Sequence, residues 1–256
     1  MRLVIKIGTS SLAYFNGRLQ LNKFEKFCKI IADIANSGHE VILVSSGAIG
    51  LGMGKVNLDS KPNDLASKQA LAALGQVELM YFYDKHFKEY LLNVSQVLVT
   101  NHSFIDENKR NNIKNTLNCL LKFKSIPIIN ENDTISYEEI VIGDNDTLSA
   151  NVGKLVEADK LIIISDIDGL YDANPNLVSS AKLIPLVTEI NDEVYQLASG
   201  SDSKLGTGGM ITKIKAAEIV NQAGIDMYII NGNNFNNLYD VIDDKSVGTR
   251  FLGDRK

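Results

Sequence analysis

The sequence predicts an α/β protein built on a largely parallel β-sheet with helices on both faces. Short apolar runs rich in Val and Ile recur at 3–7, 41–44, 97–99, 126–129, 161–164 and 227–230, and longer segments with helical spacing separate most of them. The runs are continuously apolar rather than alternating, as strands covered on both faces are. Glycine-containing turns follow several of them, which suits parallel strands that feed crossover helices.

The first run, Leu3-Val4-Ile5-Lys6-Ile7, carries a lysine where a buried strand is expected, so an anionic partner is required nearby. Residues 23–36 are the clearest helix: Phe24, Phe27, Cys28, Ile31 and Ile34 share one face, Asn22 and Glu25 have capping-box spacing, and Gly38 follows the end. The second strand runs into Ser45-Ser46-Gly47-Ala48. Residues 64–90 and 101–123 read as two further helical regions. Residues 134–143 read as a hairpin after the 126–129 strand and 185–190 as a second non-helical excursion, both expected as lips of a site. A last clear helix, 210–223, has the apolar stripe Met210, Ile214, Ala217 and Val220.

The 256 residues, 45% of them hydrophobic, suffice for a sizeable core, and no linker or repeat divides them, so one domain over 1–256 is expected. A net charge of −5 argues against a general binder of nucleic acid or membrane surfaces; a phosphate site must rest on local cations and backbone N–H groups. Cys28 and Cys119 lack metal or redox spacing and are expected as reduced core thiols. With no signal-peptide pattern and no apolar run of membrane-spanning length, a soluble cytoplasmic protein is expected.

Four features carry chemistry. Gly8-Thr9-Ser10 and the turn from Ser45 to Gly50 fall where an open α/β sheet binds ligands, outside the carboxyl ends of strands. The run Gly47, Gly50, Gly52, Gly54, Lys55 has neither dinucleotide nor P-loop spacing. Gly206-Thr207-Gly208-Gly209 opens a helix with Lys213 in its first turns, a nest of donors suited to phosphate; a solvated loop would use the same residues. Asn130-Glu131-Asn132-Asp133 and Gly143-Asp144-Asn145-Asp146 flank the expected hairpin and can converge on one pocket, although turns use Asp and Asn for structural reasons too. The three histidines, His39, His86 and His102, form no catalytic constellation.

These blocks, with Ser165-Asp166-x-x-Gly169-Leu170-Tyr171 and Gly209-Met210-x-Thr212-Lys213, occur in one order across nearly the whole chain and resemble the glutamate 5-kinase branch of the amino acid kinase family. The resemblance implies an α/β/α sandwich whose N-terminal part binds the phosphate acceptor and whose C-terminal part, from about residue 155, binds ATP. It implies phosphorylation of the side-chain carboxylate of L-glutamate to L-glutamyl 5-phosphate, the first step of proline synthesis. By matching positions, Lys6 and Lys213 would contact the phosphoryl groups and Asp146 would organise the two lysines. Ser46, Asp133 and Asn145 would bind glutamate. Lys6, Gly8, Ser165, Asp166, Thr207, Gly208, Gly209, Met210, Ile211, Thr212 and Lys213 would contact the nucleotide.

The resemblance further implies Mg²⁺ held mostly by the ATP phosphates, a homo-oligomer (dimer or tetramer), proline as feedback inhibitor and hand-off of product to glutamyl phosphate reductase. The C-terminal PUA domain carried by many such proteins is not expected here. Because the acceptor is a carboxylate with a pKa of about 4.3, no general base is required. The competing readings are an acetylglutamate, aspartate, carbamate or UMP kinase of the same family, and a non-catalytic ligand sensor.

Overall fold

A computed structural model describes residues 1–14, 16–100, 102–136, 145–175, 177–199 and 209–254. They form one eight-stranded sheet in the order β3-β4-β2-β1-β5-β7-β8-β6. The strands are β1 (Arg2–Ile7), β2 (Glu40–Ser45), β3 (Asn93–Val99), β4 (Ser125–Glu131), β5 (Lys160–Ser165), β6 (Leu186–Val187), β7 (Asp226–Asn231) and β8 (Thr249–Phe251). Every pairing is parallel except β7 with β8. Among the described residues the helices are α1 (Thr9–Leu12), α2 (Leu21–Asn36), α3 (Ala48–Val56), α4 (Leu65–Lys88), α5 (His102–Ile105), α6 (Glu107–Lys122), α7 (Asn145–Leu155), α8 (Asp192–Ser199), α9 (Met210–Asn221) and α10 (Asn237–Ile242).

Strand alternation divides the core into two layers. Leu3, Ile5 and Ile7 of β1, with Leu43, Ile128, Ile162 and Ile230, face a cluster closed by Phe24 and Phe27 of α2, Leu79 and Tyr83 of α4 and Leu238 of α10. Val4, with Val44, Ile129, Ile163 and Ile229, faces the other side, closed by Leu117 of α6, Leu148 and Val152 of α7 and Ile214 and Ala217 of α9. The result is the three-layer α/β/α sandwich. Lys6 shares its parity with Val4 and so points into the layer that holds α7 and α9.

The chain lays β2 against one side of β1, continues outward to β4 and β3, then crosses to place β5 against the other side. Such a reversal leaves a crevice above the carboxyl ends of the central strands. Register aligns their tops: Lys6 lies opposite Val44 of β2 and Ile163 of β5, and Ile129 of β4 lies opposite the same Val44. The turns after β1, β2, β4 and β5 therefore emerge at one level.

Near this crest, α3 and α4 pack backbone to backbone. A Cβ on Gly52 would sit 2.0 Å from Leu71 O, and one on Gly75 would sit 1.7 Å from Ala48 O. Steric contact of this kind explains the glycine-rich run after β2, which holds no dinucleotide or P-loop motif.

Several expectations need correction. Helix α2 starts at Leu21 with Gln20 as its N-cap and no side-chain cap bond, so Asn22 and Glu25 lie inside its first turns and form no capping box. The helical region 101–123 is broken where the Asp106 carboxylate caps α6 by accepting from Lys109 N–H at 2.9 Å. Cys28 is buried, whereas Cys119 stands exposed on α6, because the helix turns that face to solvent. Residues 185–190 include β6, which pairs with β8 at the sheet edge and is no lip over β1. Most of the expected hairpin at 134–143 lies outside the described residues. No helix among the described residues is long and apolar enough to cross a membrane.

Candidate active site

Lys6 finds its anion on the first turn of α7. Its Nζ stands 2.7 Å from Asp146 Oδ1, and Lys213 Nζ, from the first turn of α9, stands 3.1 Å from Asp146 Oδ2. The hydroxyl of Thr212 lies 2.8 Å from that same Oδ2. All three ionic side chains are buried, Asp146 to 1% exposure. Burial alone would raise the Asp146 carboxyl. The Lys6 and Lys213 ammoniums, with hydrogen bonds from Lys6 and Thr212, outweigh it and hold the group well below the usual carboxylate range. One carboxylate thus fixes two cations from opposite ends of the chain.

Around this triad the backbone is open. A Cβ built on Gly8 would lie 3.7 Å from Lys6 Nζ, so the ammonium borders the β1–α1 turn. Gly209 caps α9 in extended conformation with no Cβ contact within 4 Å. Helix N-terminal N–H groups there favour anions. Of the other residues expected at the nucleotide, Met210 is buried in the core, Ile211 is 38% exposed, and Ser165 at the end of β5 bonds the exposed Asp166 carboxylate at 3.1 Å. Thr207 and Gly208 lie outside the described residues, as do Gly143, Asp144 and Gly206.

On the β2–β4 side two of the expected acceptor residues, Ser46 and Asn145, meet. Gly47, at φ +117°, lets the chain turn from β2 into α3 and brings Ser46 to the crest. Asn145 Nδ2 lies 2.7 Å from Ser46 Oγ and 2.9 Å from Asn130 Oδ1. Asp133, just past β4, has its pKa pushed up to about 6, first by burial and second by the Glu131 carboxylate, with Lys61 opposing. Its charged form is thereby destabilised, and an incoming cation would relieve it.

Two residues of this pocket escaped the sequence reading. Gln76 of α4 accepts from Asn130 Nδ2 at 3.0 Å and donates to Gln96 of β3 at 3.2 Å. Its signal was available: a lone amide within the otherwise apolar stripe Ala72, Gly75, Leu79, Tyr83 of α4. Among the described residues no group of three or more His, Cys, Asp or Glu side chains could hold a metal.

The amino acid kinase family matches residues 1–231. A glutamate 5-kinase of Caldanaerobacter subterraneus is 51% identical over 98% of this chain and 68% of its own length. A glutamate 5-kinase of Clostridium perfringens is 48% identical, over 98% of this chain and 95% of its own. Among solved structures, the UMP kinase of Ureaplasma parvum superposes with a TM-score of 0.66, covering 98% of both chains at 16% identity, a likeness of fold alone. A family match across nearly the whole sequence, on a sheet whose crest joins two lysines through one aspartate, leaves one conclusion: the chain belongs to the amino acid kinase family.

Proposed function

We propose that this chain transfers the γ-phosphoryl group of ATP to the side-chain carboxylate of L-glutamate, giving L-glutamyl 5-phosphate and ADP for proline synthesis. The observation that carries the reading is the shared aspartate, with Lys6 at 2.7 Å and Lys213 at 3.1 Å. Half-identity to glutamate 5-kinases supports the acceptor.

Phosphoryl transfer passes through a loose transition state, so positioning and electrostatic stabilisation do most of the work. Lys6 borders the acceptor half and Lys213 the nucleotide half. Their ammoniums offset the charge of the transferring group and of the two anions brought together. Asp146 keeps both cations in place and takes no proton itself, being held strongly acidic by them. The N–H groups at Gly8 and at the start of α9 from Gly209, with Ser165, Asp166, Thr207, Gly208, Met210, Ile211 and Thr212, form the nucleotide side. A divalent cation such as Mg²⁺, bound with ATP, would supply further charge neutralisation.

Asp133 receives the substrate α-ammonium, for which its destabilised charge is suited, and Ser46 and Asn145 complete the acceptor pocket. Proline as a feedback inhibitor, hand-off to glutamyl phosphate reductase and a cytoplasmic setting belong to the same reading. So does self-association: Leu74, Val77 and Tyr81 form an exposed apolar stripe on α4, 42%, 67% and 58% accessible. Light scattering would check this, with Val77→Asp expected to reduce the assembly.

The test is ADP release by purified protein with Mg²⁺ and L-glutamate, L-aspartate, N-acetylglutamate, UMP or carbamate as separate acceptors, with hydroxylamine present. Glutamate-dependent γ-glutamyl hydroxamate is the expected result. Turnover with a different acceptor only, or with none, overturns the reading.

A further inference from the structure

The acceptor pocket is backed by a chain of side-chain amides whose direction is fixed at one point. The backbone N–H of Glu131 donates to Asn130 Oδ1 at 2.9 Å. A backbone donor cannot invert, so the oxygen of Asn130 faces it. Asn145 meets that same oxygen at 2.9 Å and must present its NH₂ group there. Its second N–H reaches Ser46 Oγ at 2.7 Å. Both donors of Asn145 are thereby used, and among the described residues nothing donates to its Oδ1. On its other side Asn130 Nδ2 donates to Gln76 Oε1 at 3.0 Å, and Gln76 Nε2 donates to Gln96 Oε1 at 3.2 Å. Asn130 and Gln76 are buried at 2% and 8% exposure, whereas Gln96 lies exposed on the edge strand.

We propose that Gln76 is a positioning residue that reinforces the polarity of the acceptor pocket: with Glu131 N–H it holds Asn130 in the one orientation that makes Asn145 offer a carbonyl oxygen and leaves the Ser46 hydroxyl free to donate. This deepens the glutamate reading and rests on it. Asn145 is then a second acceptor beside Asp133 and pairs with the substrate α-ammonium rather than with a carboxylate. The reversal matters because type alone leaves an asparagine amide ambiguous: it could equally have donated to a carboxylate oxygen. A buried amide left without its partner costs more than the bond itself contributed, so Gln76, by accepting from Asn130 Nδ2, adds to the hold that Glu131 N–H has on the direction of the chain.

The test uses the whole protein in three forms: wild type, Gln76→Met and Gln76→Glu. Methionine keeps the volume and accepts no comparable hydrogen bond; glutamate, ionised or protonated, still presents an oxygen to Asn130 Nδ2. Hydroxamate formation gives KM and kcat for L-glutamate and KM for ATP, and L-2-hydroxyglutarate is tested as an inhibitor. In Gln76→Met, KM for L-glutamate should rise about tenfold, with kcat within about twofold and KM for ATP unchanged. The preference for L-glutamate over the α-hydroxy analogue should shrink several-fold, since a hydroxyl can pair with an inverted amide and an ammonium cannot. Gln76→Glu should restore KM to within about threefold of wild type. Wild-type KM in Gln76→Met, equal weakening of both ligands, or a matching loss in Gln76→Glu would overturn the positioning role while leaving the glutamate reading intact. Wild-type protein that forms no hydroxamate would overturn both.

Discussion

Two carboxylates stand at the crest of the same sheet, and their surroundings drive them in opposite directions. Asp146 is almost fully enclosed, yet two lysines and a threonine hold it ionised. Asp133 is half-buried with a second carboxylate, Glu131, as its strongest charged neighbour, and its pKa climbs to about 6. Burial acts on both; the partners differ. The Lys6–Asp146–Lys213 cluster thus keeps a net positive charge before any ligand enters, whereas the surroundings of Asp133 hold negative charge that an incoming cation would relieve. Pairs of groups pushed apart in this way mark division of labour within a site.

Removing the organiser tests that division most severely. Asp146→Asn leaves two buried ammoniums without their shared anion. We expect a loss of about 3–5 kcal/mol in chemical denaturation, together with a turnover loss of at least about 10²-fold. If the variant melts and turns over as wild type, the two lysines do not depend on Asp146. Lys6→Ala and Lys213→Ala should each reduce kcat by about 10²–10³-fold with smaller changes in KM. Asp133→Asn belongs to the other region and should behave oppositely: KM for L-glutamate rises at least about tenfold while kcat falls less.

The pH dependence sharpens the contrast. Below about pH 6 the wild-type Asp133 takes a proton, so KM for L-glutamate should rise as pH falls through that value. In Asp133→Asn the same profile should be flat across that window. Gly47→Ala should cost about 1–2 kcal/mol of stability, because φ of +117° strains any residue with a Cβ. The smallest effect concerns stability alone. A carboxyl raised above its unfolded value near 3.8 contributes stability below that pH and loses it as pH rises through about 6. Asp133→Asn should therefore make the unliganded protein more stable at pH 8 by about 1 kcal/mol, allowing for partial exposure. No change in melting temperature at pH 8 would place Asp133 in a more solvated setting than the structure gives it.

Much of this was legible in the sequence where a pattern has one physical cause. The apolar runs marked six of the strands, and the stripes of α2 and α9 are buried as read. Lys6 in an apolar strand demanded an anion, and Asp146 supplies it. What stayed hidden depends on tertiary partners. Strand β8 has three residues and exists because β7 and β6 flank it. Helix α7 opens on Asn145 and Asp146, residues that also make turns, so its start could not be separated from a loop. The link from Gln76 to Asn130 joins residues 54 positions apart, and no local spacing announces such a pair.

The glycines at the α3–α4 contact carry a lesson of another kind. Gly52 and Gly75 touch no reacting group, yet neither helix can approach the other if a single methyl is added at either position. In a saturation-mutagenesis scan both should be as intolerant as Lys6 and Lys213. Intolerance to substitution will therefore not separate chemistry from carpentry in this protein. Only assays that resolve kcat from abundance will do so.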